Sequence, residues 1–456
     1  MGMALRSMNP ATGEEVRRFE SYSVGEVRRR LEVAVGAQVG WRKLSVGERG
    51  ERVGRLAGVL RAGAGGYARL MAEEMGKPVK QGLAEVEKCA WACEYFAARS
   101  GDFLGVEALE SDGGRAYVCW QPLGVVLAVM PWNFPFWQVF RCAVPALMAG
   151  NCVVLKHASN VMGCGLVLEE IFREAGLSGG EFQNLVVGSD RVGEVLAHGG
   201  VRGVALTGST EAGRSLAADA GRHLLKLVLE LGGSDAYVVL EDADLGAAAA
   251  VCAAARLVNS GQSCVAAKRF IVVDSVVDEF ERLLVGEMGR YRVGDPLDAA
   301  TDLGPLARVD LRDGLHDQVV RSVGAGARCL SGGEVPGGVG AFYPPTVLGG
   351  VRPGMAVFDE ETFGPVAAVV SVAGEEEAIR LANQSEYGLG AAVFSGDRER
   401  GERVAMQLEA GCCVVNGQVK SDPRQPFGGI KASGYGRELG LLGIREFTNA
   451  KTIVVG

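Results

Sequence analysis

The sequence predicts an α/β protein with two parallel sheets, each covered by helices. Three observations predict it. From Tyr117 onward, short β-rich runs alternate with helical runs. A second alternation of the same kind begins near residue 245. Runs such as 152–155 are apolar throughout, which suits strands buried on both faces.

Ahead of these runs the chain reads as helical. Residues 49–74 place Val53, Leu56, Leu60, Tyr67, Leu70 and Met71 at three- and four-residue spacings, with Arg, Glu and Gly between them. Residues 82–98 form a second amphipathic stretch, with Trp91 and Phe96 read as core. The first alternating region then gives strand 125–130, helix 136–147, strand 152–155, helix 162–174 and strand 184–187. It continues with strand 203–207, helix 211–220, strand 225–230 and strand 236–240. The second region gives helix 245–258, strand 269–273, helix 277–290, helix 375–383, strand 391–394, helix 398–408 and strand 413–416. Residues 446–455 alternate enough for one last strand, which should pair with something, another subunit included.

Composition bounds the function. At about 150 residues per domain, 456 residues make two or three domains or one large α/β unit. Lys and Arg number 47 against 55 Asp and Glu, a net charge of -8 that offers nothing to nucleic acid. The longest apolar runs, 122–130 and 246–255, fall far short of the roughly 20 residues that span a bilayer. Residues 1–6 lack a signal-peptide core. Eleven cysteines, an odd number without a paired C-x-x-C ladder, read as free thiols in a reducing compartment. The expectation is a soluble cytoplasmic protein with no nucleic-acid or membrane partner and no metal site.

The usual phosphate and zinc signatures, G-x-G-x-x-G, G-x-x-x-x-G-K-[ST] and H-E-x-x-H, are missing. Gly208-Ser-Thr-Glu-Ala-Gly213 follows a strand and opens a helix. It suits either an anion-binding turn or a plain turn in which Ser209 caps the helix. Cys264 ends the polar segment Asn259-Ser-Gly-Gln-Ser-Cys264, whereas most other cysteines sit in apolar runs. It reads as a nucleophile or as a bystander thiol. Glu230 closes an apolar run before Leu231-Gly-Gly233, and reads as a general base lifted by burial or as a satisfied strand-end carboxylate. Asn133, between Pro131 and Pro135, reads as an oxyanion donor or as a turn residue. Together the three supply nucleophile, base and oxyanion donor.

Six motifs then occur in order: Met130-Pro-Trp-Asn-Phe-Pro135, Leu206-Thr-Gly-Ser209, Leu229-Glu-Leu-Gly-Gly233, Gly261-Gln-Ser-Cys264, Glu361-Thr-Phe-Gly-Pro365 and Pro426-Phe-Gly-Gly-Ile-Lys431. With Asn9-Pro-Ala-Thr-Gly-Glu14 near the start, the chain resembles the aldehyde dehydrogenase superfamily along nearly all of its length. Lys156-His-Ala-Ser159 with Asn160-Val-Met-Gly-Cys164 looks most like the bacterial succinate-semialdehyde branch. The resemblance implies a Rossmann-like cofactor domain (1–102 and 122–231), an α/β catalytic domain (232–441) and a small β oligomerisation arm (103–121 and 442–456). It implies a homodimer or homotetramer acting on a small aldehyde.

It also implies roles. Cys264 attacks the aldehyde, Asn133 and the Cys264 N–H hold the oxyanion, and Glu230 activates water, which favours hydrolysis over transfer to coenzyme A. NADP or NAD is expected at Met130, Pro131, Trp132, Lys156, Ser159, Gly208, Ser209, Gly213, Leu231, Glu361 and Phe363. Ser159 stands where strict NAD users often carry Glu, so NADP should be accepted. Arg141 is expected to face the substrate tunnel and fork onto an ω-carboxylate, or else to be a surface arginine. Trp137 and Phe427 read as tunnel walls or as core. Two departures stand out. Cys142 replaces a lysine that relays protons in many relatives, which turns attention to Glu438. Val258 replaces a second arginine, which turns attention to Lys420 and Arg424. The expected reaction is succinate semialdehyde to succinate. The alternatives are glutarate semialdehyde, a neutral aliphatic aldehyde, or a non-catalytic protein on this fold.

Overall fold

Val125-Val-Leu-Ala-Val-Met130 carries three β-branched residues and no charge, so no side chain of the run demands water. In the computed structural model, which describes residues 5–456, strand Val125–Met130 lies inside a six-stranded sheet. The order is Gly434–Tyr435, Lys226–Glu230, Val201–Thr207, Val125–Met130, Cys152–His157, Phe182–Asn184. All pairings are parallel except that of Gly434–Tyr435. From Val125–Met130 the chain moves outward through two strands, then returns to the opposite side. That reversal leaves a crevice at the carboxyl ends of Val125–Met130 and Val201–Thr207, where open α/β sheets bind ligands.

Residues 231–235 cross to a second sheet of seven strands. Its order is Arg328–Ser331, Thr346–Gly349, Val366–Val372, Arg269–Val273, Ala236–Val239, Gly390–Phe394, Cys412–Val415. Only the Arg328–Ser331 edge runs antiparallel. A third sheet pairs Thr448–Val455 with Arg115–Pro122, and Arg115–Pro122 with Glu107–Leu109, all antiparallel. The last strand therefore finds its partner within its own chain.

The helices place the first sheet's crevice. Val46–Met75 begins with a capping box between Ser45 and Glu48 and ends at Gly76, whose φ of 78° suits glycine. Val79–Phe103 packs beside it, and Trp137–Met148 is buried along its whole length.

Several elements differ from the sequence expectation. The hairpin of Leu5–Met8 with Glu15–Phe19 and the helix Val24–Trp41 were not anticipated. Only Val27, Leu31, Ala34, Gln38 and Trp41 of that helix are buried, a stripe too narrow to stand out among its charges. The strand expected at 184–187 lies at Phe182–Asn184, because it pairs in register with Val153–Leu155. Helix Val309–Gly324 and strands Thr346–Gly349 and Val366–Val372 fill a stretch that periodicity left unassigned. Among the described residues no helix is long and apolar enough to cross a membrane.

Candidate active site

Asn133 sits on the loop after Val125–Met130, at the mouth of the crevice. The loop is pinned from behind by His157, the last residue of Cys152–His157. His157 Nδ1 accepts from the Ala158 N–H at 3.0 Å, which puts the ring proton on Nε2. Nε2 then donates to the Pro135 carbonyl at 2.9 Å. Burial holds the imidazole neutral, with its pKa pushed down to about 4.

Cys264 approaches from the other sheet. After helix Leu245–Leu257 the chain turns through three consecutive left-handed residues, Asn259 (φ 53°), Ser260 (55°) and Gly261 (77°). Asn tolerates that region better than most residues. Gly261 is required, since a Cβ there would stand 2.3 Å from the Gly364 carbonyl carbon. The strained turn is over-determined by hydrogen bonds. Asn259 Nδ2 donates to the Asn133 carbonyl at 2.7 Å and to the Gln262 carbonyl at 3.1 Å. Asn133 Nδ2 donates to the same Gln262 carbonyl at 3.1 Å. Below the thiol, the buried Lys268 ammonium donates to the carbonyls of Cys264 (2.8 Å) and Ser263 (3.2 Å). The Cys264 N–H finds no acceptor among the described residues, and one Asn133 amide hydrogen remains unspent. Burial pushes the half-buried Cys264 thiol up to about 12, with Arg141 opposing that shift.

Glu230 ends its strand with both carboxylate oxygens buried and, among the described residues, without a hydrogen-bond donor. Burial raises its pKa above the ordinary carboxylate range, against the pull of Arg141. A Cβ at Gly428 would come within 2.7 Å of Glu230 Oε1, so this glycine keeps the carboxylate's place clear.

Arg141 requires a correction. It is not a surface arginine, and it lines the cavity described below, but its guanidinium is not a free fork. It is ion-paired with Glu438, its Nη2 lies 3.7 Å from Glu230 Oε2, and it donates to Thr207 Oγ1 at 3.2 Å. Its face rests 4.7 Å from the Phe427 ring. A buried cation needs compensating anions, and here two carboxylates of the protein already provide them. Glu438 and Phe427 are themselves paired backbone to backbone.

A cavity of about 420 Å³ opens in front of Cys264. Trp137 and Phe427 form apolar wall, and Val258 and Lys420 also line it. Arg424 does not: it pairs with Asp422 and lies over Trp91. Lys88, which the sequence reading passed over, lines the cavity from helix Val79–Phe103. Asn259, Lys268 and His157 were likewise missed. The three left-handed residues announce nothing in one sequence, and a buried lysine or histidine reads like a surface one.

On the crevice side, Lys156 is buried in Cys152–His157, yet no residue among those described accepts from its ammonium. Burial lowers its pKa. An ammonium at a strand end without an ion pair, with Ser159 three residues on and Asp190 acting on it only at longer range, fits the ribose and phosphate hydroxyls and oxygens of a nicotinamide dinucleotide. Ser209 caps helix Thr210–Arg222 by accepting from the Ala212 N–H at 3.2 Å. It is also exposed on the loop after Thr207, where a phosphate meets a helix N-terminus. Gly208 donates to the Glu230 carbonyl at 3.0 Å. Gly213 is a packing glycine: a Cβ would strike Leu231 Cδ1 at 2.5 Å. Met130 is core, and Trp132 packs edge-on to Phe363 at 5.7 Å, with Pro131 half-buried beside it. Glu361 Oε1 accepts from the Gly233 N–H at 3.0 Å and faces Lys268 at 3.7 Å.

Residues 2–453 match the model of the aldehyde dehydrogenase family. The chain belongs to that family. A Synechocystis protein named probable succinate-semialdehyde dehydrogenase [NADP(+)] is 47% identical over 99% of both chains. The Escherichia coli succinate semialdehyde dehydrogenase [NAD(P)+] Sad is 42% identical, over 98% of this chain and 97% of that one. The crystal structure of succinic semialdehyde dehydrogenase from Streptococcus pyogenes with NADP+ superposes with a TM-score of 0.97 at 39% identity, over 99% and 100% of the two chains. The fold is that of the aldehyde dehydrogenases, and the protein is an enzyme of this family.

Proposed function

We propose that this aldehyde dehydrogenase oxidises succinate semialdehyde to succinate with NADP+ or NAD+. Cys264 gives up its proton to solvent through the open cavity, and its sulfur adds to the aldehyde carbon. The resulting oxyanion is held by the second Asn133 amide hydrogen and the free Cys264 N–H, a pair of aimed donors of which each is worth about 3 kcal/mol of barrier. The nicotinamide coenzyme, when bound, supplies the hydride acceptor. Lys156, Ser159, Ser209, Glu361 and Phe363 are the residues suited to hold it. The thiohemiacetal then becomes a thioester on Cys264. Glu230 removes a proton from water, the hydroxide adds to the thioester carbon, and the tetrahedral adduct expels the Cys264 thiolate and the acid. Burial makes Glu230 a stronger base than an exposed carboxylate, nearer to what a water molecule requires. Arg141, ion-paired with Glu438, works against the upward push of burial on Glu230.

The observation that carries the substrate assignment is the cavity in front of Cys264, which presents cationic side chains above an apolar wall. The enzyme names of the relatives support the same reading. A steady-state panel of C2–C6 aldehydes and semialdehydes with both coenzymes tests it. Succinate semialdehyde should give the highest kcat/KM, with NADP+ accepted. A neutral aldehyde of equal length used as well would contradict it.

We further infer a homo-oligomer in the cytoplasm. Supporting this, Thr448–Val455 leaves an open sheet edge with Val454 and Val455 exposed, and all eleven cysteines are free.

A further inference from the structure

We propose that Lys88 is the specificity-determining cation of this site, receiving the distal carboxylate of the substrate together with the Ser421 hydroxyl. The proposal rests on the semialdehyde reading above and names the group that enforces it.

Four observations carry it. Lys88 is set into the cavity wall with its ammonium 4.3 Å from the Trp137 ring centroid and donating to Ser421 Oγ at 2.9 Å. Trp137 Nε1 donates to the same Ser421 Oγ, also at 2.9 Å. Two donors occupy the oxygen's lone pairs, so the Ser421 O–H must point elsewhere, and among the described residues nothing accepts it. Two ammonium hydrogens of Lys88 and one hydroxyl hydrogen are therefore left over on residues that line the cavity.

Of the other charges nearby, Lys420 is without a partner among the described residues but is exposed to water, and the rest are spoken for. Glu85 pairs with Lys77 and accepts from the Phe136 and Trp137 N–H groups. Asp422 pairs with Arg424. Arg141 is committed to Glu438 and Glu230. Lys88 has no carboxylate partner among the described residues, although it is half-buried. A carboxylate arriving from the substrate would restore the balance that burial upset, and a neutral aldehyde would not. Burial, with Arg141 adding to it, pulls the Lys88 pKa down to about 8, while Cys89, Glu85 and Asp422 act weakly the other way. The charge is thus retained at neutral pH and is easily lost above it.

The test compares kcat/KM for succinate semialdehyde with that for butanal, a neutral aldehyde of the same length, in the wild type, Lys88→Met and Lys88→Arg. The ratio cancels any loss of folded enzyme. Lys88→Met should lower the ratio about 10- to 100-fold, through KM for the semialdehyde rather than through kcat, and Lys88→Arg should restore part of it. The wild-type KM for the semialdehyde should also climb above pH 8, and that climb should be missing in Lys88→Met. If Lys88→Met keeps the wild-type ratio within about threefold, or keeps the pH-dependent climb, the assignment of Lys88 is overturned while the semialdehyde reading stands. If the wild type itself shows no preference over butanal, the semialdehyde reading falls, and this inference with it.

Discussion

The Asn133 side-chain amide donates to the Gln262 carbonyl at 3.1 Å, two residues ahead of Cys264. The bond spans the two sheets and ties the proposed oxyanion donor to the segment that carries the proposed nucleophile. Asn259 fastens the same joint from the other side, bonding to the carbonyls of both Asn133 and Gln262. The Asn133 amide and the Cys264 segment are thus fixed to each other, which is the condition under which the proposed donor would stabilise developing charge without reorganising.

Asn133→Ala removes a donor and leaves Cys264 in place. We expect kcat to fall roughly a hundredfold or more, with a smaller change in KM, in stopped-flow and steady-state assays of NADPH formation.

Glu230→Gln should separate the two halves of the reaction. Acyl transfer to Cys264 leaves water activation undone, so one equivalent of NADPH should form and turnover should then stall. Its stability should change as well. Burial raises the folded-state pKa of Glu230 above its unfolded value, so the wild type loses stability as pH rises through the folded pKa. The Tm of Glu230→Gln relative to wild type should therefore increase with pH, readable by calorimetry across pH 5 to 9.

Arg141→Met strips the compensating cation from two buried carboxylates. Breaking such a pair costs about 3–5 kcal/mol, measured by denaturant unfolding. It should also raise the Glu230 pKa further and move the rising limb of the kcat profile to higher pH. Lys88→Met disturbs no such pair, so its effect should appear in substrate choice instead.

His157→Gln tests the pin behind the Asn133 loop. Burial holds the folded-state pKa of His157 at about 4, below the ordinary imidazole value of 6.5. Its contribution to stability is present above pH 6.5 and lost as pH falls toward 4, about 3 kcal/mol in all. The acid loss of stability, followed by urea unfolding at stepped pH, should be shallower in the variant.

Much of this was legible in the sequence. The apolar runs located most of the first sheet and four of the seven strands of the second, because strands buried on two faces leave an uninterrupted signature. The run 236–240 was read with the first sheet, although it lies in the second. Cys264, Glu230 and Asn133 each stand in a polar or glycine-flanked break in such a run, and the fold brings all three to one place. The charges behaved differently. Arg141 sat at the expected position, yet its guanidinium is neutralised by Glu438, almost three hundred residues downstream, and no local pattern records such a pairing. Lys88 was overlooked for the converse reason. On an amphipathic helix a lysine reads as solvated, and only the packing of Trp137 and Ser421 against it shows otherwise.

The most direct measurement is NADPH formation from succinate semialdehyde by Cys264→Ala. If a thioester on this sulfur is the obligatory intermediate, the rate should fall by roughly a thousandfold or more, in a protein whose unfolding transition stays near that of the wild type. An undiminished rate in the folded variant would contradict the account at its centre.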